Sequence, residues 1–129
     1  MSDDSLKQVM LANAEELRRL HAQIHETPRG TLRWQKACEV FHNSYAALAF
    51  PGGYDGALEL LKKSDHPTID AALCFLEVRP FFFRSGYMYK DILRKLKRAA
   101  LDREQAGRLE HIVTAYEAYR AQRRRRNEA

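Results

Sequence analysis

Glycine and proline are scarce, with six and four residues in a chain of 129. Their scarcity excludes a many-stranded β architecture, whose turns consume both. Cysteine is nearly absent, since only Cys38 and Cys74 occur. Both lie in largely apolar helical patterns with no signal-like segment ahead of them, so free thiols and a cytoplasmic location are expected rather than a disulfide. No apolar run approaches the roughly 18 residues that a membrane span requires. Motifs that carry chemistry are missing as well. Pro51-Gly52-Gly53 lacks the Lys and Ser/Thr of a phosphate loop, and Ser85-Gly86 lacks the glycine frame of a nucleophile elbow. His25-Glu26 is followed by Thr27, Pro28 and Arg29, which breaks a zinc-protease pattern. No enzyme activity, no cofactor and no metal are therefore expected.

What remains is 45% hydrophobic and 30% charged, too apolar for a disordered chain and too charged for a membrane bundle. One all-α domain of five or six helices is expected over 1–119, with 120–129 as a basic C-terminal tail free to be disordered. The net charge of +5 is unevenly spread: residues 1–83 carry −2, 84–103 carry +5, 104–119 carry −2 and 120–129 carry +4. Positive charge thus belongs to one internal segment and the tail.

Apolar spacing sets out the helices. A first helix from Asp4 or Ser5 to Glu26 carries Leu6, Met10, Asn13, Leu17, Leu20 and Ile24 at alternating steps of 4 and 3. That stripe requires a partner helix, either within the domain or in a second copy as a homodimer with Asn13 setting register. A second helix from Thr31 turns Trp34, Ala37, Cys38, Phe41, Tyr45 and Leu48 to one side and stops at Phe50-Pro51-Gly52-Gly53. A third runs from about Asp55 to Lys63. Pro67 opens a fourth, whose run Ala71 to Leu76 is apolar on nearly every face and so must be surrounded by other helices. Arg79-Pro80 ends it. A fifth, from about Gly86 to Arg98, buries Met88, Ile92, Leu93 and Leu96. Asp102 and Gln105 have capping-box spacing and open a sixth, with Leu109, Ile112, Val113, Tyr116 and Tyr119 on its stripe.

Leu58 and Leu61 recur as Leu93 and Leu96 at an offset of 35, and Leu73 and Leu76 recur as Leu109 and Ile112 at 36. This helix-turn-helix period over residues 54–119 resembles HEAT-type helical hairpins. The resemblance implies stacked hairpins and the gripping of another macromolecule, and it transfers no functional residue.

The most unusual stretch is Arg79 to Tyr89, with five aromatic residues in the nine positions 81–89, Arg79 just before them and Arg84 within. Three readings are open: core-plugging rings in an interhelical connection, a protein-recognition surface, or a platform for unpaired bases. The expected function is that of a small adaptor or inhibitor that binds a protein partner through Arg79, Phe81, Phe82, Arg84, Tyr87 and Tyr89. The alternative is nucleic-acid association through Arg94, Lys95, Lys97 and Arg98 with Arg123, Arg124, Arg125 and Arg126. Two four-residue pairs, His21 with His25 and Cys38 with His42, supply too few ligands for a closed metal site and read as two exposed histidines and a core cysteine beside a boundary histidine. Glu77, in the most apolar helix, is expected to be paired with Arg79, Arg84 or a tyrosine hydroxyl, because a lone buried carboxylate is costly.

Overall fold

The computed structural model describes residues 2–128. Among them are six helices and no strand: α1 (Asp3–Glu26), α2 (Leu32–Ala49), α3 (Tyr54–Lys62), α4 (His66–Val78), α5 (Ser85–Leu96) and α6 (Arg103–Glu128). Local chemistry fixes most boundaries. Ser2, rather than Asp4 or Ser5, caps α1 by accepting the Ser5 amide, and Thr31 caps α2 by accepting the Trp34 amide. Gly52 and Gly53 take φ of 81° and 96° in the turn after α2, a region glycine enters without strain. Asp65 caps α4 through the Thr68 amide and hydroxyl, with Pro67 in the first turn. The Asp102–Gln105 capping box closes in both directions, at 2.8 and 3.0 Å.

α4 is the centre. Ile69, Ala72, Leu73 and Cys74 are fully buried and Phe75 and Leu76 nearly so, covered by α1, α3, α5 and α6. The α1 stripe is used within the chain: Met10, Ala14, Leu17 and Leu20 are buried against α2 and α4, with Leu6 and Ile24 at their margins. Of the two partners expected for this stripe, the protein's own helices are the one it meets here. α3 packs on α5, and α4 on α6. Phe50, read from sequence as part of a stop, is instead a core residue whose ring lies 5.8 Å from that of Phe75.

Glu77 does not pair with Arg79, Arg84 or a tyrosine. It lies at the exposed margin of α4, where it accepts a two-pronged hydrogen bond from the Arg108 guanidinium and faces Lys7 at 3.4 Å. Arg108 also reaches Asp3 at 3.2 Å, so a single guanidinium joins α6 to α4 and to the start of α1. Partial burial pushes the Glu77 carboxyl up, but the hydrogen bond and charge of Arg108, with Lys7, outweigh it and hold the group below its ordinary value. Cys74, beside them, is a free buried thiol and Cys38 a half-buried one.

Two outcomes follow from this packing. Leu73→Ala is expected to cost about 2–5 kcal/mol in chemical denaturation, as truncation in a filled core does, and a loss below about 1 kcal/mol would show that α4 is not enclosed. Because the Glu77 carboxyl is lowered in the folded state, its contribution is complete above the ordinary value of 4.5 and disappears as pH falls through the folded value. Glu77→Gln is therefore expected to lower stability by roughly 1 kcal/mol at neutral pH. That gap should narrow as pH falls below 4.5 and the carboxyl takes up its proton, as read from urea midpoints across pH.

Candidate functional site

The chain leaves α4 sharply. Arg79 is in the left-handed region at φ 48°, its amide still donating to the Phe75 carbonyl, and Arg84, just before α5, is left-handed at φ 64°. Neither is glycine, and such residues carry strain of about 1–2 kcal/mol each. Directly after Arg84, Ser85 accepts the Phe82 amide at 3.1 Å and returns its own amide to the Phe82 carbonyl. Ser85 is thus committed to a turn. Two long-range hydrogen bonds pin the connection: the Arg18 guanidinium of α1 donates to the Phe81 carbonyl, and the Tyr45 hydroxyl of α2 donates to the Phe83 carbonyl.

This turn sorts the three phenylalanines. Phe82 is 4% exposed and packs edge-on against Phe75 and Tyr45, whereas Phe81 is 75% exposed and Phe83 43%. Phe83 stacks on His21 at 4.7 Å. Tyr87, on the first turn of α5, is 76% exposed, and Tyr89 is buried. Of the six residues expected to form a partner surface, Arg79, Phe81, Arg84 and Tyr87 reach solvent. Phe82 and Tyr89 belong to the core beneath it, because the residue between two outward rings and the inward face of α5 must pack on α4.

Above the connection lies an open groove of about 760 Å³. Its floor is the 79–90 segment, one wall is α1 at Arg18, His21 and Ala22, and the other is α6 from Tyr116 to Asn127. The run after Tyr119 is not a detached tail, since α6 continues through it to Glu128. The helix therefore carries Arg120, Arg123 and Arg124 into the same groove as the rings. Seven cations line it, namely Arg18, Arg79, Arg84, Lys90, Arg120, Arg123 and Arg124, and no carboxylate does. None of the seven has an ion-pair partner there: the salt bridges of the described residues involve other cations.

Arg79 is seated among three tyrosine rings, its guanidinium carbon 4.3 Å from the centroid of Tyr119, 5.0 Å from Tyr89 and 5.8 Å from Tyr116. Ring faces attract a cation without neutralising it, so the charge is oriented and still available. Burial, opposed by the positive charge of Arg79, raises the Tyr89 hydroxyl, which stays protonated. Burial, with the charge of His25, lowers His21 and favours its neutral form.

The basic residues expected to bind nucleic acid divide. Arg123 and Arg124 line the groove, whereas Arg94 and Lys97 line a second, smaller one that shares Lys90, Tyr116 and Arg120 with the first. Lys95 pairs with Asp91 at 3.3 Å, and Arg98, Arg125 and Arg126 are exposed outside both grooves. His21 and His25, expected to be exposed together, separate into a half-buried ring stacked on Phe83 and an exposed one. No cluster of metal-ligating side chains occurs among the described residues.

Sequence reasoning missed Arg18 and His21, which arrive from α1. It also missed the wall role of Tyr116 and Tyr119, assigned to a core stripe, although Tyr119 is exposed. Their signal was present. Tyr116, Tyr119, Arg120, Arg123 and Asn127 recur at helical spacing, so the stripe changes from aromatic to cationic along a single face.

No protein-family model matches this chain, and neither a curated protein nor a solved structure matches it.

Proposed function

We propose that the protein is a binding module whose aromatic-floored groove captures a polyanionic chain without converting it. The observation that carries this reading is the set of seven cations that line the groove with, among the described residues, neither a carboxylate beside them nor an ion-pair partner for any. Like charges gathered on one side of a globule repel one another, and a bound anion relieves that repulsion. Through Lys90, Tyr116 and Arg120 the cationic lining passes into the second groove toward Arg94 and Lys97, which suits an extended anion better than a single compact one.

α3 packs on α5 and α4 on α6, which suits stacked helices, and binding is the work that helical-repeat architectures usually perform. A protein partner fits the same site if it presents an acidic segment, because Arg and Tyr are the residues that anchor interfaces. Two free thiols support placing the module in the cytoplasm. No described helix is long and apolar enough to cross a membrane.

Heparin affinity tests the reading. Replacing Arg120, Arg123 and Arg124 with alanine is expected to weaken binding roughly tenfold to a hundredfold, on a scale of about 1 kcal/mol per cation near an anionic surface. The same charge removed from Arg29, Arg33 and Lys36, exposed residues outside the groove, should leave elution near that of the parent. Equal shifts for the two triple variants would mean attraction by net charge alone, and the groove would have no special part.

A further inference from the structure

We infer that the chain this groove fits is a single strand of nucleic acid, its bases stacked on Phe81 and Tyr87 and its phosphates held by the arginines of α6. This step rests on the polyanion reading above. Cations alone would serve any polyanion, so the rings decide the class. Phe81 and Tyr87 are three-quarters exposed, and leaving an aromatic ring in water forfeits about 25 cal/mol for each Å² of apolar surface not covered. They are also fixed. Phe81 sits on a turn pinned by Arg18 and Ser85, and Tyr87 on the first turn of a helix, so presenting their faces to a ligand costs little ordering entropy.

A polymer of carboxylates or sulfates would engage the guanidinium groups and leave those ring faces idle. A duplex would do the same, because its bases are stacked on one another. Unpaired bases supply flat π faces at intervals along a phosphate chain, and the groove offers the complementary set, exposed Phe81 and Tyr87 in one lining with Arg79, Arg84, Lys90, Arg120 and Arg123. Phosphates also accept the two-pronged hydrogen bonds of guanidinium forks. Stacking on Phe81 and Tyr87 accepts any base, since every base has a π face. Binding is therefore insensitive to sequence and depends on the strand being single.

Fluorescence anisotropy with the whole protein and a labelled oligothymidylate of about 20 nucleotides at about 50 mM salt tests this directly. The single strand should bind. Phe81→Ala with Tyr87→Ala should weaken it about tenfold or more, while retention on heparin stays at the parental value. Arg123→Ala with Arg124→Ala should flatten the slope of log affinity against log salt by about 1.4, at about 0.7 per phosphate for a single strand. All four side chains are exposed, so unchanged circular dichroism should accompany both variants.

Parental affinity in the ring variant, or equal competition by a duplex of the same length or by polyglutamate, would overturn the single-strand assignment and leave the polyanion reading standing. Loss of oligothymidylate binding together with groove-independent heparin retention would remove both.

Discussion

α4 has no face it can show to water, and the rest of the structure depends on that constraint. A helix with Ile69, Ala72, Leu73, Cys74, Phe75 and Leu76 all buried needs cover from several directions at once. α1, α3, α5 and α6 supply it. Pro80 disfavours the helical conformation at Arg79, so the chain leaving Val78 does not continue straight. It turns through a left-handed Arg79, inserts Phe82 as a plug, and turns again at a left-handed Arg84 before α5 begins. Two strained residues are tolerated because Phe82 is buried and because Arg18 and Tyr45 hold the carbonyls on either side of it. The outward direction of Phe81 and Phe83 is a consequence of the inward direction of Phe82.

Electrostatics then distinguishes this end of the molecule. Elsewhere, several cations have carboxylate partners: Arg108 with Glu77 and Asp3, Arg19 with Glu16, Lys62 with Glu59, Lys95 with Asp91. In the groove the arginines meet rings instead of carboxylates, with Arg79 over three tyrosines, Arg84 over Phe83 and Arg120 near Tyr116. Such contacts are worth about 0.5–1 kcal/mol at exposed positions and leave the charge in place. Arginines at the end of α6 also lie where the helix macrodipole favours positive charge, which helps the helix continue past the core. With screening over about 8 Å at physiological salt, neighbouring cations of the groove act on a ligand together.

Much of the fold was legible in the sequence because helix spacing and capping are local signals. The seam from Leu6 to Ile24, the Asp102–Gln105 box and the enclosed run at Ala71 to Leu76 each stand where the pattern places them. Illegible were contacts that join distant segments. Arg108 as the partner of Glu77 lies 31 residues away, and nothing near Glu77 announces it. Arg79 and Arg84 looked like its companions because they are close in sequence, yet the left-handed turns send them elsewhere. The aromatic stretch was recognisable as unusual, but the division of Phe81, Phe82 and Phe83 depends on the turn that Ser85 closes. Reading the arginine run as a separate tail concealed that one helix brings it beside the rings.

An NMR titration of the isotope-labelled protein with oligothymidylate tests the central claim most directly, because it reports every backbone amide in one experiment. The account predicts shift changes concentrated in residues 79–90 and 116–127, with smaller ones at Arg18 and His21 and none along the outer face of α2. Changes spread over α2 and α3, or none in the 79–90 connection, would contradict it.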